Sequence, residues 1–293
     1  MLISIILLFF TPLNLLVHEM GHIIYYIKNK VNIYAFVYFN RVFVKKDKKW
    51  TMYKIKNSHS SFVVPEINSR YSLNTCENII INDLLIGPLV SFFLFVMFGI
   101  CLIIYCKSNE TDTLVKLLLI SNISINLSIL SSCIHSNDKC VGDILFYNQC
   151  KKDKSKVRVY VLDYILYNGG IHIDKCWIDK VDFNNLDEWE KVDWAFDIVS
   201  LYLLGNIERV SEEIHLYVIH YLEYCNVVDA MDRVIKIRFQ EYLNYIESKS
   251  VKAKVLGNDI YQESPILKIY ETAEIEKKIN ERFGVVDGQS IRS

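Results

Sequence analysis

The sequence predicts an α-helical membrane protein of about three transmembrane helices with a membrane-surface β-hairpin, followed by a mainly α-helical soluble domain. Three observations predict it. Residues 2–27, 84–105 and 114–133 form apolar runs, each close to the ~20 residues that cross a ~30 Å hydrocarbon core. Residues 28–66 are Lys-rich and dense in Val, Ile, Tyr and Phe, as short strands are. From about residue 155 onward, apolar residues recur at helical spacing among charged ones. The expected division is a membrane-embedded domain over 1–150 and a soluble helical domain over 151–293.

The first run could be taken for a signal peptide. It has no Lys or Arg ahead of its apolar stretch, is about twice the usual length and ends in no small-residue cleavage site, so a retained helix is expected, kinked at Pro12. After it, Val31 to Val44 and Trp50 to Ile55 read as a hairpin around Lys45 to Lys49. The second and third runs are joined by the polar residues 107–112. Lys and Arg cluster after the first run and again at Lys151, Lys152, Lys154, Lys156 and Arg158, which places those segments and the C-terminal domain in the cytosol. The protein is thus expected to be an integral, multi-pass membrane protein.

In the second half, Val157 to Leu166 alternates like a strand. Asp187 to Gly205 carries Trp189, Val192, Ala195, Phe196, Val199 and Leu203 at helical spacing. Ile207 to Cys225, Val227 to Ser248 and Pro265 to Phe283 read as further amphipathic helices. A net charge of −1 provides no basic field for nucleic acid. The eight cysteines include no CxxC pair, so neither a zinc ribbon nor a disulfide framework is expected.

The chemistry lies in the first run, at His18-Glu19-Met20-Gly21-His22. On a helix, residues four apart share a face, so the two imidazoles could hold one Zn2+, with Glu19 beside them as general base. A depth of ~24 Å from the outer end puts His18 near the cytosolic side, within reach of water. Ionisable residues inside an apolar span are costly and mark function. Haem is excluded, because imidazoles one turn apart cannot take opposite axial positions. In the third run, Asn122 and Asn126 share a face, with interhelical hydrogen bonding as their ordinary role. His215 and His220, five apart, do not share one.

Together, His18-Glu19-Met20-Gly21-His22, the Ile86-Gly87-Pro88-Leu89 that opens the second run, and an Asn-containing third run followed by an Asp resemble the site-2 protease family of intramembrane zinc metallopeptidases. The resemblance covers about residues 1–150. It implies that His18, His22 and a carboxylate hold Zn2+, that Asn126 helps to position substrate, and that Glu19 is the catalytic base. An edge of the hairpin would hold an unwound substrate segment. Gly87-Pro88 reads equally as a Pro in an ordinary first turn.

The family's Asp-Gly pair is missing. Asp138 and Asp143 are the candidates for third ligand, with Asp138 favoured because it follows the span directly; His135 is a lesser candidate. The implied activity is hydrolysis of a peptide bond in or beside the bilayer, on a membrane-embedded or membrane-associated peptide. The alternative is a catalytically silent membrane protein that binds a peptide.

Overall fold

The computed structural model describes residues 2–46, 48–56, 61–67, 72–108, 112–137, 140–167, 173, 175–248, 260–272 and 275–283. It is mostly helical, with three helices long and apolar enough to cross a membrane and a small antiparallel sheet. The chain divides into two compact units. One comprises Met1–Ile33, Ser61–Val63 and Glu77–Lys154; the other Tyr34–Ser60, Val64–Cys76 and Ser155–Ser293.

The first unit is built on α1 (Leu2–Lys28), α3 (Ile86–Lys107) and α4 (Thr113–Ile134), with the short α2 (Leu73–Asp83) leading into α3 and α5 (Asp143–Lys152) closing it. Side chains are sorted in the opposite sense to a water-soluble bundle. Leu8, Phe9, Ile24, Phe93 and Ile104 are exposed, whereas Asn14, His18, Glu19, His22, Ser91, Asn122 and Asn126 are buried. Apolar surface outside and paired polar groups inside is the arrangement that hydrocarbon favours.

Local chemistry sets the helix ends. Asp112 caps α4, its carboxylate accepting from the Leu114 amide at 2.8 Å. After α1, Lys30 takes a left-handed conformation (φ 61°) that turns the chain out of the helix. The two-residue strands β5 (Ser136–Asn137) and β6 (Cys140–Val141) pair antiparallel after α4, and the Gly142 amide donates to the His135 carbonyl at 2.9 Å. This tight return sets Asp143 at the first position of α5.

Over residues 32–66 the expected hairpin is a larger sheet of β1 (Asn32–Tyr38), β2 (Arg41–Lys46), β3 (Lys49–Lys54) and β4 (Ser61–Glu66), in the order β3-β2-β1-β4. The single strand expected over Val31 to Val44 is broken by a turn at Phe39, whose φ is 51°. Opposed pairs Ala35–Val44 and Val37–Val42 bury one face, and Phe36 and Phe43 stack on the other. The sheet meets α11 (Pro265–Thr272): Lys268 lies over the Tyr53 ring, and the Lys56 amide donates to Gln262.

The remaining helices are α6 (Lys154–Tyr167), α7 (Lys175–Ile178), α8 (Glu188–Leu204), α9 (Glu212–Tyr224), α10 (Ala230–Ser248) and α12 (Ile275–Arg282). α8 starts at a capping box of Asp187 and Glu190 and ends at Gly205, φ 81°. A Cβ at Gly205 would strike the Arg282 guanidinium, which donates to the Leu203 carbonyl at 2.6 Å. Two expectations are corrected here. Val157 to Leu166 lies within a helix rather than a strand, and Pro265 to Phe283 forms two short helices rather than one.

Candidate metal centre

α1 carries Asn14, His18 and His22 at four-residue intervals, all buried. Across from them, the segment from the end of α2 into α3 carries Asp83, Gly87 and Ser91 at the same interval. The two stripes meet in antiparallel order. His22 Nδ1 is 3.1 Å from Asp83 Oδ2, and His18 Nδ1 is 2.9 Å from the Ser91 hydroxyl. Between these pairs lies Gly87, where a Cβ would collide with Nε2 of both histidines. Gly21 permits the close approach, since a Cβ there would press on Val90 and Ile86.

With His18 Nδ1 on Ser91 and His22 Nδ1 facing Asp83, both Nε2 atoms turn to one space that glycine leaves open. Asp143 approaches from the other side, its Oδ2 3.6 Å from His18 Nε2. Ligand atoms held at ~2.0–2.2 Å around a tetrahedral zinc stand ~3.3–3.6 Å apart, so this spacing suits a shared ion. Gly142 makes the approach possible, because a Cβ there would collide with the Ser132 and Cys133 carbonyls at the end of α4. Buried imidazoles, a carboxylate and a cradle that a methyl group would fill are a donor set of the kind that could hold a metal ion.

One thiol joins the group. Ligand atoms of His18, Cys133 and Asp143 lie within 4.8 Å of one another, a set that does not include His22. Glu19 is buried on the neighbouring face of α1, with the Ser61 hydroxyl of β4 beside it. That hydroxyl has no hydrogen-bond partner among the described residues, so it stands near the carboxylate without an aligned bond.

Asn126 is one turn deeper in an amide cluster. Its Nδ2 donates to Asn14 Oδ1 at 2.8 Å and to the Asn122 carbonyl at 2.9 Å, and Asn14 Nδ2 donates to Asn122 Oδ1 at 2.9 Å. The amide is thus engaged in joining α1 to α4, while its buried Oδ1 has no partner among the described residues. Asp138 lies outside the described residues. His135 is exposed and turned back on the Ser131 carbonyl at 2.6 Å. His215 contacts the Tyr242 hydroxyl at 3.1 Å, within the other unit.

Sequence reasoning missed Asn14, Asp83, Ser91 and Cys133 as neighbours of the histidine pair. The four-residue interval was a usable signal for three of them: Asn14 precedes His18 by four, and Asp83 and Ser91 flank Gly87 by four. Comparison with protein-family models, curated proteins and solved structures finds no match, so the functional reading stands on the geometry of this centre.

Proposed function

We propose that the protein is an intramembrane zinc metallopeptidase. The observation that carries this reading is the pair of imidazoles whose Nε2 atoms both face Gly87, with the Asp143 carboxylate 3.6 Å from His18 Nε2 and Glu19 buried alongside. α1, α3 and α4 cross the bilayer, with the C-terminal domain cytosolic and the site near the cytosolic face.

His18, His22 and Asp143 hold the ion. When bound, Zn2+ supplies Lewis acidity, lowering the pKa of water toward ~7 and polarising a carbonyl. Ser91 and Asp83 keep the imidazoles turned toward the cradle. Glu19 accepts a proton from the attacking water and delivers it to the leaving amine. The outer strand β4 begins at Ser61, next to Glu19, so a peptide added along Ser61–Val63 would lie extended with its carbonyls open to attack.

Cys133 supports a second reading. The Cys133 sulfur, within 4.8 Å of ligand atoms of His18 and Asp143, offers a fourth protein ligand, and a centre filled by four protein ligands is structural rather than catalytic. The chain would then be a silent membrane protein that binds a peptide.

Metal analysis of detergent-purified protein, combined with cleavage of a panel of single-span membrane peptides, separates these readings. The peptidase requires stoichiometric zinc, cleavage by wild type and by Cys133→Ser, and none by Glu19→Gln with its zinc retained. Retained cleavage in Glu19→Gln removes the proposed base. Zinc lost in Cys133→Ser, with no cleavage by any form, favours the structural centre.

A further inference from the structure

Asp83 is the only member of the centre whose carboxylate faces a histidine from the side away from the cradle. It is the last residue of α2, 8% exposed, with Oδ2 3.1 Å from His22 Nδ1. The contact lies within ion-pair distance but off the line of an aligned hydrogen bond, and Asp83 Oδ1 has no hydrogen-bond partner among the described residues. A carboxylate buried at the head of an apolar helix with one contact is costly on its own account.

Its position on the ring decides what it can do. A group on Nδ1 cannot ligate an ion on Nε2, so Asp83 is not a ligand. An acceptor there fixes the tautomer: the proton stays on Nδ1, the Nε2 lone pair is free, and the ring is held by its far edge. Ser91 has the matching place on His18 Nδ1. Resting on the zinc reading above, we propose that Asp83 is a positioning residue, a carboxylate that holds His22 in its metal-binding tautomer and orientation through Nδ1.

The test uses full-length protein in detergent and a competitive chelator titration with Zn2+. It covers wild type, Asp83→Ala, Asp83→Asn, His22→Ala and the His22→Ala/Asp83→Ala double variant. Loss of an outer partner of a ligating histidine costs ~10–100-fold in metal affinity. Asp83→Ala should weaken zinc by that factor, and Asp83→Asn, whose amide oxygen can still accept from Nδ1, should fall between it and wild type.

Because Asp83 acts only through His22, adding Asp83→Ala to His22→Ala should change affinity by less than about twofold. Wild-type affinity in Asp83→Ala overturns the proposal. So does an equal loss in the His22→Ala background, which is the mark of a general effect on the fold. Asp83→Asn, nearly isosteric, decides the matter if the alanine variant does not fold. Wild type that binds no zinc sinks the metal reading itself, an outcome distinct from either of these.

Discussion

Gly87→Ala is the smallest change that asks whether the cradle is a metal site. Gly87 lies in the first turn of α3 without a positive φ, so alanine is compatible with its backbone and favours the helix by ~1 kcal/mol. Against this, the new methyl would collide with Nε2 of His18 and His22. Both rings must swing away, disturbing the contacts at Ser91 and Asp83 at ~1 kcal/mol each. The net cost in the metal-free protein is about 1 kcal/mol, and its unfolding temperature should fall by no more than a few degrees. Zinc binding has no such offset. Coordination needs Zn–N distances near 2.0–2.1 Å, and a methyl group occupying that volume removes at least one imidazole. Chelator competition should show at least ~100-fold weaker zinc, about 2.8 kcal/mol. Wild-type affinity in Gly87→Ala would mean that the Nε2 atoms facing Gly87 do not bind the ion, and the proposed centre would be refuted.

The remaining predictions concern the third ligand, the topology and the second unit. The 3.6 Å approach of Asp143 to His18 shifts the expected ligand from Asp138 to Asp143. Asp143→Ala should therefore lose zinc while Asp138→Ala keeps most of it; the reverse pattern in a metal assay would restore Asp138. A reporter fused after Ser108 should report outside and one after Lys156 inside, and the same side for both would mean that α4 does not span. In the second unit, burial pushes Asp163 up to about 7 and Asp193 and Asp197 well above the usual carboxylate range, with Asp163 and Asp197 hydrogen-bonded to each other. Folded-state values above the unfolded ~4 give stability that is complete below that pH and lost as pH rises through 7. Hydrogen exchange in α6 and α8, corrected for intrinsic rates, should quicken from pH 5 to 8, and less so in Asp163→Asn. Identical pH profiles would exclude this acid group as the cause.

How far the fold was legible depended on whether a signal was local. The three apolar helices and the ends of α8 at Asp187 and Gly205 were legible, because span length, capping box and left-handed glycine act within a few residues. α6 was not. Val157, Val159, Val161, Leu162, Ile165 and Leu166 are all buried, and a helix covered on most sides loses the one-sided period that identifies it, leaving a chance alternation. The break at Phe39 went unread because a left-handed aromatic residue has no sequence signature. In the centre, His18, Glu19 and His22 announced themselves by spacing. Asp83 and Ser91 had only their four-residue interval around Gly87 to mark them, and Cys133 had no signal, since a Cys at the end of an apolar run is ordinary until packing sets it near an imidazole.

The same packing explains why the polar residues of this core are hard to separate into structural and functional ones. A buried amide or imidazole has no water to satisfy it, so each polar group inside the bundle must find its partner within it. Asn14 pairs with Asn122 and Asn126, His18 with Ser91 and His22 with Asp83, and these pairs sit at successive turns of α1. Sliding α1 by one turn, ~5.4 Å, would break all of these pairs at once and leave the group at one end of the stripe without its partner. Apolar side chains on the outer faces impose no such condition, because one aliphatic contact with lipid is much like another. The register of α1 against α3 and α4 is therefore fixed by the residues that build the metal centre. Substitutions in this stripe will disturb helix packing and zinc together unless, like Gly87→Ala, they change the cradle while leaving the pairs intact in composition.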